Sequence, residues 1–152
     1  MQITRKTNPA TQVLEATARL IISEIPAHAE KVIPALLAEA EARGMTISGP
    51  CLFIYEGCDG SPDREFTLRI AFPVDICLGQ GAFDCLEIPA HECLSTQYKG
   101  AMHGIGPAWS RFTPAARELG LALQPVGREV YLHWIDQDSA GNLVELQIPL
   151  AP

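Results

Sequence analysis

Apolar residues along this chain follow two spacings, and the change from one to the other marks out elements. Between positions 29 and 43, Val32, Ile33, Leu36, Leu37 and Ala40 recur every three or four residues, the stripe of a helix, and Gly44 follows as a C-terminal cap. Between 106 and 119 the spacing returns as Trp109, Phe112, Ala116 and Leu119, followed by Gly120. Segments 11–22, 92–98, 51–56, 66–72, 129–134 and 143–148 carry the β-branched and alternating apolar residues of strands. The connections 57–64 and 136–142 are rich in Gly, Asp, Ser and Pro, as turns require.

The pattern repeats. Gly44, Tyr55 and Pro73 recur as Gly120, Tyr131 and Pro149, each 76 positions on, which is half of 152. Ile54 falls on Val130, and Leu68, Ile70 and Phe72 fall on Val144, Leu146 and Ile148. A solenoid needs three or more copies, so two copies predict a closed pseudo-symmetric domain. The expectation is an α+β fold in one domain, 1–152. Two β-α-β-β units, about 8–74 and 85–150, are joined by a linker at 75–84. Helices cover one face of an antiparallel sheet and a ligand cleft lies on the other.

Strand alternation then sorts side chains. If Val144, Leu146 and Ile148 face the helix, Leu143, Glu145 and Gln147 face away. Leu52, Ile54, Leu68, Ile70, Phe72, Val130, Leu132 and Trp134 read as core. Phe53, Tyr55, Arg69, Tyr131, His133 and Glu145 then share a mixed aromatic and polar face. Such a face suits a small-molecule pocket, with Glu145 as partner of a flat cation. Two other readings stay open: a solvated sheet face, or an ion pair between Arg69 and Glu145, which the 76-residue offset makes equivalent.

Charge narrows the partners. Eleven basic residues against eighteen acidic give a net charge of -7, with no basic cluster larger than Arg5-Lys6, which argues against nucleic acid. No apolar run is long enough to span a bilayer and no signal-peptide pattern follows Met1, so a cytoplasmic protein that does not bind membranes is expected. The five cysteines, an odd number without C-x-x-C spacing, read as reduced thiols. Cys85, His91 and Cys93 match no defensible zinc pattern; no metal and no cofactor are expected. Oligomeric state is not legible.

The stretches "IPAHECLSTQYKGAMHGIGPAWSRF", "ELGLALQPVGREVYLHW" and "NLVELQIPL", with "EARGMTISGPCLFIYEG" and "EFTLRIAFPV" in the first half, resemble the GyrI-like small-molecule-binding proteins, related to effector-binding domains of AraC-type and multidrug-sensing regulators. The resemblance covers most of residues 10–150. It implies two tandem β-α-β-β units cupping a hydrophobic pocket, with the acid before the terminal "IPL", here Glu145, contacting cationic aromatic ligands. The residues 99–104 depart from the family's Gly-Pro-Tyr turn. With no DNA-binding segment ahead of the first copy, the expectation is a stand-alone binder of amphipathic compounds, cationic aromatic ones among them. Glu145, Tyr131, Tyr55, Phe53, Trp109, His133 and Arg69 are its candidate ligand-binding residues, although Trp109 also fits a core stripe. Two alternatives stand beside it. One is a hydrolase of strained, cyclopropane-bearing natural products, with Glu145 as acid or base assisted by Tyr131 or His133. The other is a protein inhibitor of a larger enzyme.

Overall fold

Both helical stripes are helices in the structure, a computed structural model that describes all 152 residues: α1 spans Ile25–Ala42 and α2 spans Ile105–Arg117. The cap read from Gly44 is a Schellman motif. Gly44 adopts φ +73°, its N–H bonds Glu41 O at 3.0 Å, and the Met45 N–H bonds Ala40 O at 2.9 Å. Gly120 takes the same left-handed conformation, φ +74°, just past α2.

Eight strands form one antiparallel sheet: β1 Thr4–Asn8, β2 Thr11–Leu20, β3 Leu52–Glu56, β4 Phe66–Pro73, β5 Asp84–Ile88, β6 His91–Lys99, β7 Val126–His133 and β8 Leu143–Pro149. Their order is β1-β6-β8-β7-β3-β4-β2-β5. Two of these strands lie beyond the expected pattern. β1 and β5 are the sheet's two edges, short and half-solvated, so no core-facing period betrays them. β5 begins at the last residue of the predicted linker. The 76-residue offset also fails at the helix starts, since Ile25 and Ile105 are 80 positions apart. α1 thus carries about one extra turn, which preserves its buried stripe of Val32, Leu36 and Ala40 against Ala108, Phe112 and Ala116 in α2.

Register shows how the faces divide, because directly paired residues point the same way. One cross-strand row runs Ala16, Ile70, Phe53, Glu129, Leu146, Thr96. α1 packs on the Leu68, Ile70 and Phe72 end of this face, and α2 on the Val144, Leu146 and Ile148 end. Both helices therefore cover one face, and β3 and β7 run under the gap between them. The opposite face is not simply wet. Val13, Leu52, Ile54, Ala71 and Val130 form a third cluster there, packed by Leu86, Ile88 and Val126.

The cysteines are not all reduced: Cys77 and Cys85 form a disulfide, closing a loop too short for its purpose to be read from spacing. That loop docks on the end of α1, where Arg43 donates to the carbonyls of Leu78, Gly79 and Phe83, and Glu39 accepts from the N–H groups of Ala82 and Phe83. No helix is long and apolar enough to cross a membrane.

Candidate functional site

The gap between the helices holds a carboxylate that the alternation argument did not select. Glu129 is 2% exposed, in the middle of β7. Its neighbours in the cross-strand row are Phe53 and Leu146. Tyr55 and Tyr131 each donate a phenol hydrogen bond to Oε1 at 2.7 Å, and Trp109 Nε1–H donates to Oε2 at 2.8 Å. The donors come from β3, β7 and α2, so one carboxylate ties both halves of the sheet to the second helix. Trp109 can lie over β7 because residue 127 is glycine: a Cβ there would stand 3.1 Å from the Trp109 ring.

Rings enclose the site. Phe53 and Tyr131 sit 4.8 Å apart between centroids, Tyr55 and Phe66 5.7 Å, Trp109 and Phe112 5.7 Å, and Tyr131 and Trp134 5.9 Å. No Lys, Arg or His forms an ion pair with Glu129. Burial pushes its carboxyl above the ordinary range, and the three hydrogen bonds, which favour the ionised form, offset only part of that. Tyr55 and Tyr131 are held well above the usual phenol range, by burial first and then by the charge of Glu129. They are neutral donors at any ordinary pH.

The expected pocket residues divide between two faces. Phe53, Tyr55, Tyr131 and Trp109 are gathered at Glu129, on the helix side. Arg69 and Glu145 lie on the other side of the sheet, as does Gln147. The inversion arises in β3 and β7. There the apolar residues Leu52, Ile54 and Val130 serve the third cluster, leaving Phe53, Tyr55, Glu129 and Tyr131 to face the helices. His133 is exposed near the end of β7, beyond a register shift after Tyr131.

Glu145 and Arg69 do not meet. Glu145 pairs with Lys6 of β1 at 2.8 Å and accepts a hydrogen bond from Gln147. Arg69 pairs with Glu15 of β2 at 2.6 Å, its Nε reaching the same carboxylate. Glu145 also lines a cavity of about 780 Å³ at the β1 edge, whose walls include Gln2, Thr4, Gln97 and Arg111. Those walls are mainly polar, unlike the surroundings of Glu129. Nucleophilic chemistry at Cys51 is unsupported, since burial pushes its thiol up to about 12.

Glu129 had one available signal. It stands in "GREVYLHW", one of the stretches that carry the family resemblance, next to a Tyr two residues on that shares its face. Alternation groups it with Tyr131 and His133 on the face expected to bear Glu145, but nothing in that reading marked it as buried.

The family model described as GyrI-like small molecule binding domain matches residues 1–151. No curated protein matches the chain. The crystallised C-terminal domain of EcmrR superposes with a TM-score of 0.82 at 22% identity, over 99% of this chain and 97% of that one. EcmrR in its complex with DNA gives 0.84 at 19% identity over 99% of this chain, which spans only 58% of that longer chain. SAV2435 bound to tetraphenylphosphonium gives 0.72 at 10% identity, over 99% of this chain and 94% of that one. A hydrolase encoded by lin2189 from Listeria innocua gives 0.62 at 10% identity, over 99% and 92%. At such identities these likenesses show a shared fold.

Proposed function

The chain belongs to the GyrI-like small-molecule-binding family, and we propose that it binds lipophilic, cationic aromatic compounds between α1 and α2, with Glu129 as their charge partner. The observation that carries this reading is a buried carboxylate without a cation, surrounded by aromatic rings. An ionised acid in such a place is costly unless a positive charge joins it. Tyrosine and tryptophan faces add attraction for a cation of about 0.5 to 2 kcal/mol. The three neutral donors hold the carboxylate in place. Because Glu129 is only 2% exposed, a ligand has to displace side chains. Trp134, 45% exposed and edge-on to Tyr131, is the ring most free to move.

Tetraphenylphosphonium is a suitable probe, being a lipophilic monocation that a protein of this fold binds. Titration calorimetry should find binding to the wild type that weakens at least tenfold in Glu129→Gln. Equal affinity in the two proteins would refute the assignment.

A tandem duplication accounts for the frame around this site. Exchanging β1–β4 for β5–β8 turns the strand order into its own reverse, with β3 and β7 meeting at the centre. The pseudo-two-fold then passes between the strands that bring Tyr55 and Glu129 together.

One observation favours a second reading, hydrolysis. Glu129 has a raised carboxyl and two phenols against it, and such a group can take a proton from water. Of the acid–base candidates read from the sequence, Tyr131 alone touches it. Consumption of a cyclopropane-bearing electrophile with more than one turnover per protein, lost in Glu129→Gln, would establish this; a single stoichiometric event would exclude it.

A further inference from the structure

The side of the sheet away from the helices has its own buried charge. A cross-strand row there reads Thr17, Arg69, Ile54, Arg128, Gln147, Ser95. Two arginines thus flank Ile54. They are not equivalent. Arg69 is neutralised by Glu15 through three hydrogen bonds. Arg128 is 8% exposed and makes no ion pair.

Its one side-chain hydrogen bond runs from Nη1 to His91 Nε2, at 2.7 Å. The acceptor is unambiguous. Arg128 Nη1 and Asn8 Nδ2, the latter 3.1 Å away, both donate to Nε2, so Nε2 keeps its lone pair, and Nδ1, 2.9 Å from the Pro89 carbonyl, carries the proton. His91 is therefore a neutral partner and does not balance the guanidinium. Arg128 Nε is buried with no acceptor at all. Glu145, the one carboxylate whose charge it feels, is already engaged by Lys6. A buried guanidinium with no counter-ion, and no acceptor for its Nε–H, is an unfinished site.

Beside it lies a cavity of about 520 Å³ that Arg128, Arg69 and His91 line together with Ile54, Ile88 and Val126. Two acids also reach its wall. Glu92 pairs with Arg5 and Glu56 faces the charge of Arg69. A dianion would meet these acids and the net charge of -7. A monoanion with an apolar body fits both the walls and the single free guanidinium.

We propose that this cavity binds a small organic monocarboxylate, its carboxylate on Arg128 and its apolar body against Ile54, Ile88 and Val126. The site is separate from Glu129: it lies across the sheet and takes the opposite charge. It stands whether or not the cation reading holds.

The test uses octanoate as probe, against inorganic phosphate at matched ionic strength. Octanoate should bind the wild type saturably. Arg128→Met should weaken it at least tenfold, while Glu129→Gln should leave it within twofold. In case Arg128→Met does not fold, the Nε–H resonance of Arg128 followed by NMR in the wild-type protein should move saturably with octanoate. A resonance that stays still, or a folded Arg128→Met protein that binds as well as the wild type, overturns the proposal. Phosphate binding as tightly as octanoate overturns it too, because the guanidinium would then be a contact for an adventitious ion only.

Discussion

Arg128 and Glu129 are consecutive, oppositely charged and both buried, yet they form no ion pair: they point to opposite faces of the sheet. Alternation along β7 sends the guanidinium to the row of Ile54 and Gln147, and the carboxylate to the row of Phe53 and Leu146. Each is left with neutral hydrogen-bond partners only. A single strand thereby carries two unbalanced charges of opposite sign on two surfaces.

Binding of tetraphenylphosphonium should weaken as pH falls through the raised carboxyl range of Glu129, because protonation removes its charge. Stability should run the other way. The native state holds this proton at pH values where the unfolded chain has lost it, so this group's contribution falls as pH rises from the ordinary carboxyl range to the raised value. Both dependences should vanish in Glu129→Gln. Calorimetry and denaturant titration across the acidic range measure them.

Glu145→Gln should leave tetraphenylphosphonium affinity within twofold of wild type, since its charge is met by Lys6 on the other face. Lys6→Met should be the more harmful change, leaving a nearly buried carboxylate without its cation. A loss of about 1 to 2 kcal/mol is expected, between the values for exposed and buried pairs. Urea denaturation of both variants ranks them; a tenfold affinity loss in Glu145→Gln would return the ligand to that residue.

Gly127→Ala puts a methyl group 3.1 Å from the Trp109 ring. The indole must shift, and its hydrogen bond to Glu129 with it. A cost of about 1 kcal/mol or more is expected, as for overpacking elsewhere. A change in tryptophan emission should accompany it, and weaker binding of the cation.

Replacing both Cys77 and Cys85 with Ser should lower stability by about 2 to 3 kcal/mol, the loop-closure value for a ring of this size. Limited proteolysis should then cut first in residues 78–84, which dock on Arg43 and Glu39. Mass spectrometry of the wild-type protein, alkylated after denaturation without reduction, should find one disulfide and three alkylated thiols, at Cys51, Cys58 and Cys93.

Both helices, their glycine caps and the six inner strands were legible because each buries a periodic stripe, and burial leaves its spacing in the residues. Val32, Leu36 and Ala40 are apolar for one reason, that they meet the sheet. The edge strands were not legible. Lys6 in β1 and Asp84 in β5 gain little from burial, so nothing constrains their pattern. The aromatic residues Phe53, Tyr55, Trp109 and Tyr131 do come together, but the carboxylate they surround is Glu129, where Glu145 was expected.

That error came from assigning a dry and a mixed side to every strand. At the centre of the sheet both sides are packed: Val130 and Ile54 are buried against Leu86 and Ile88 of one region, Tyr131 and Phe53 against the helix layer. Residue order along the chain was enough to establish an α+β domain with two helices on an antiparallel sheet, because local periodicity encodes which stripe each element buries. Which strands lie side by side, and so whether Glu129 or Glu145 meets the tyrosines, depends on pairings such as Phe53 with Glu129 across β3 and β7. Those partners are 76 residues apart, and no local spacing carries the register between them.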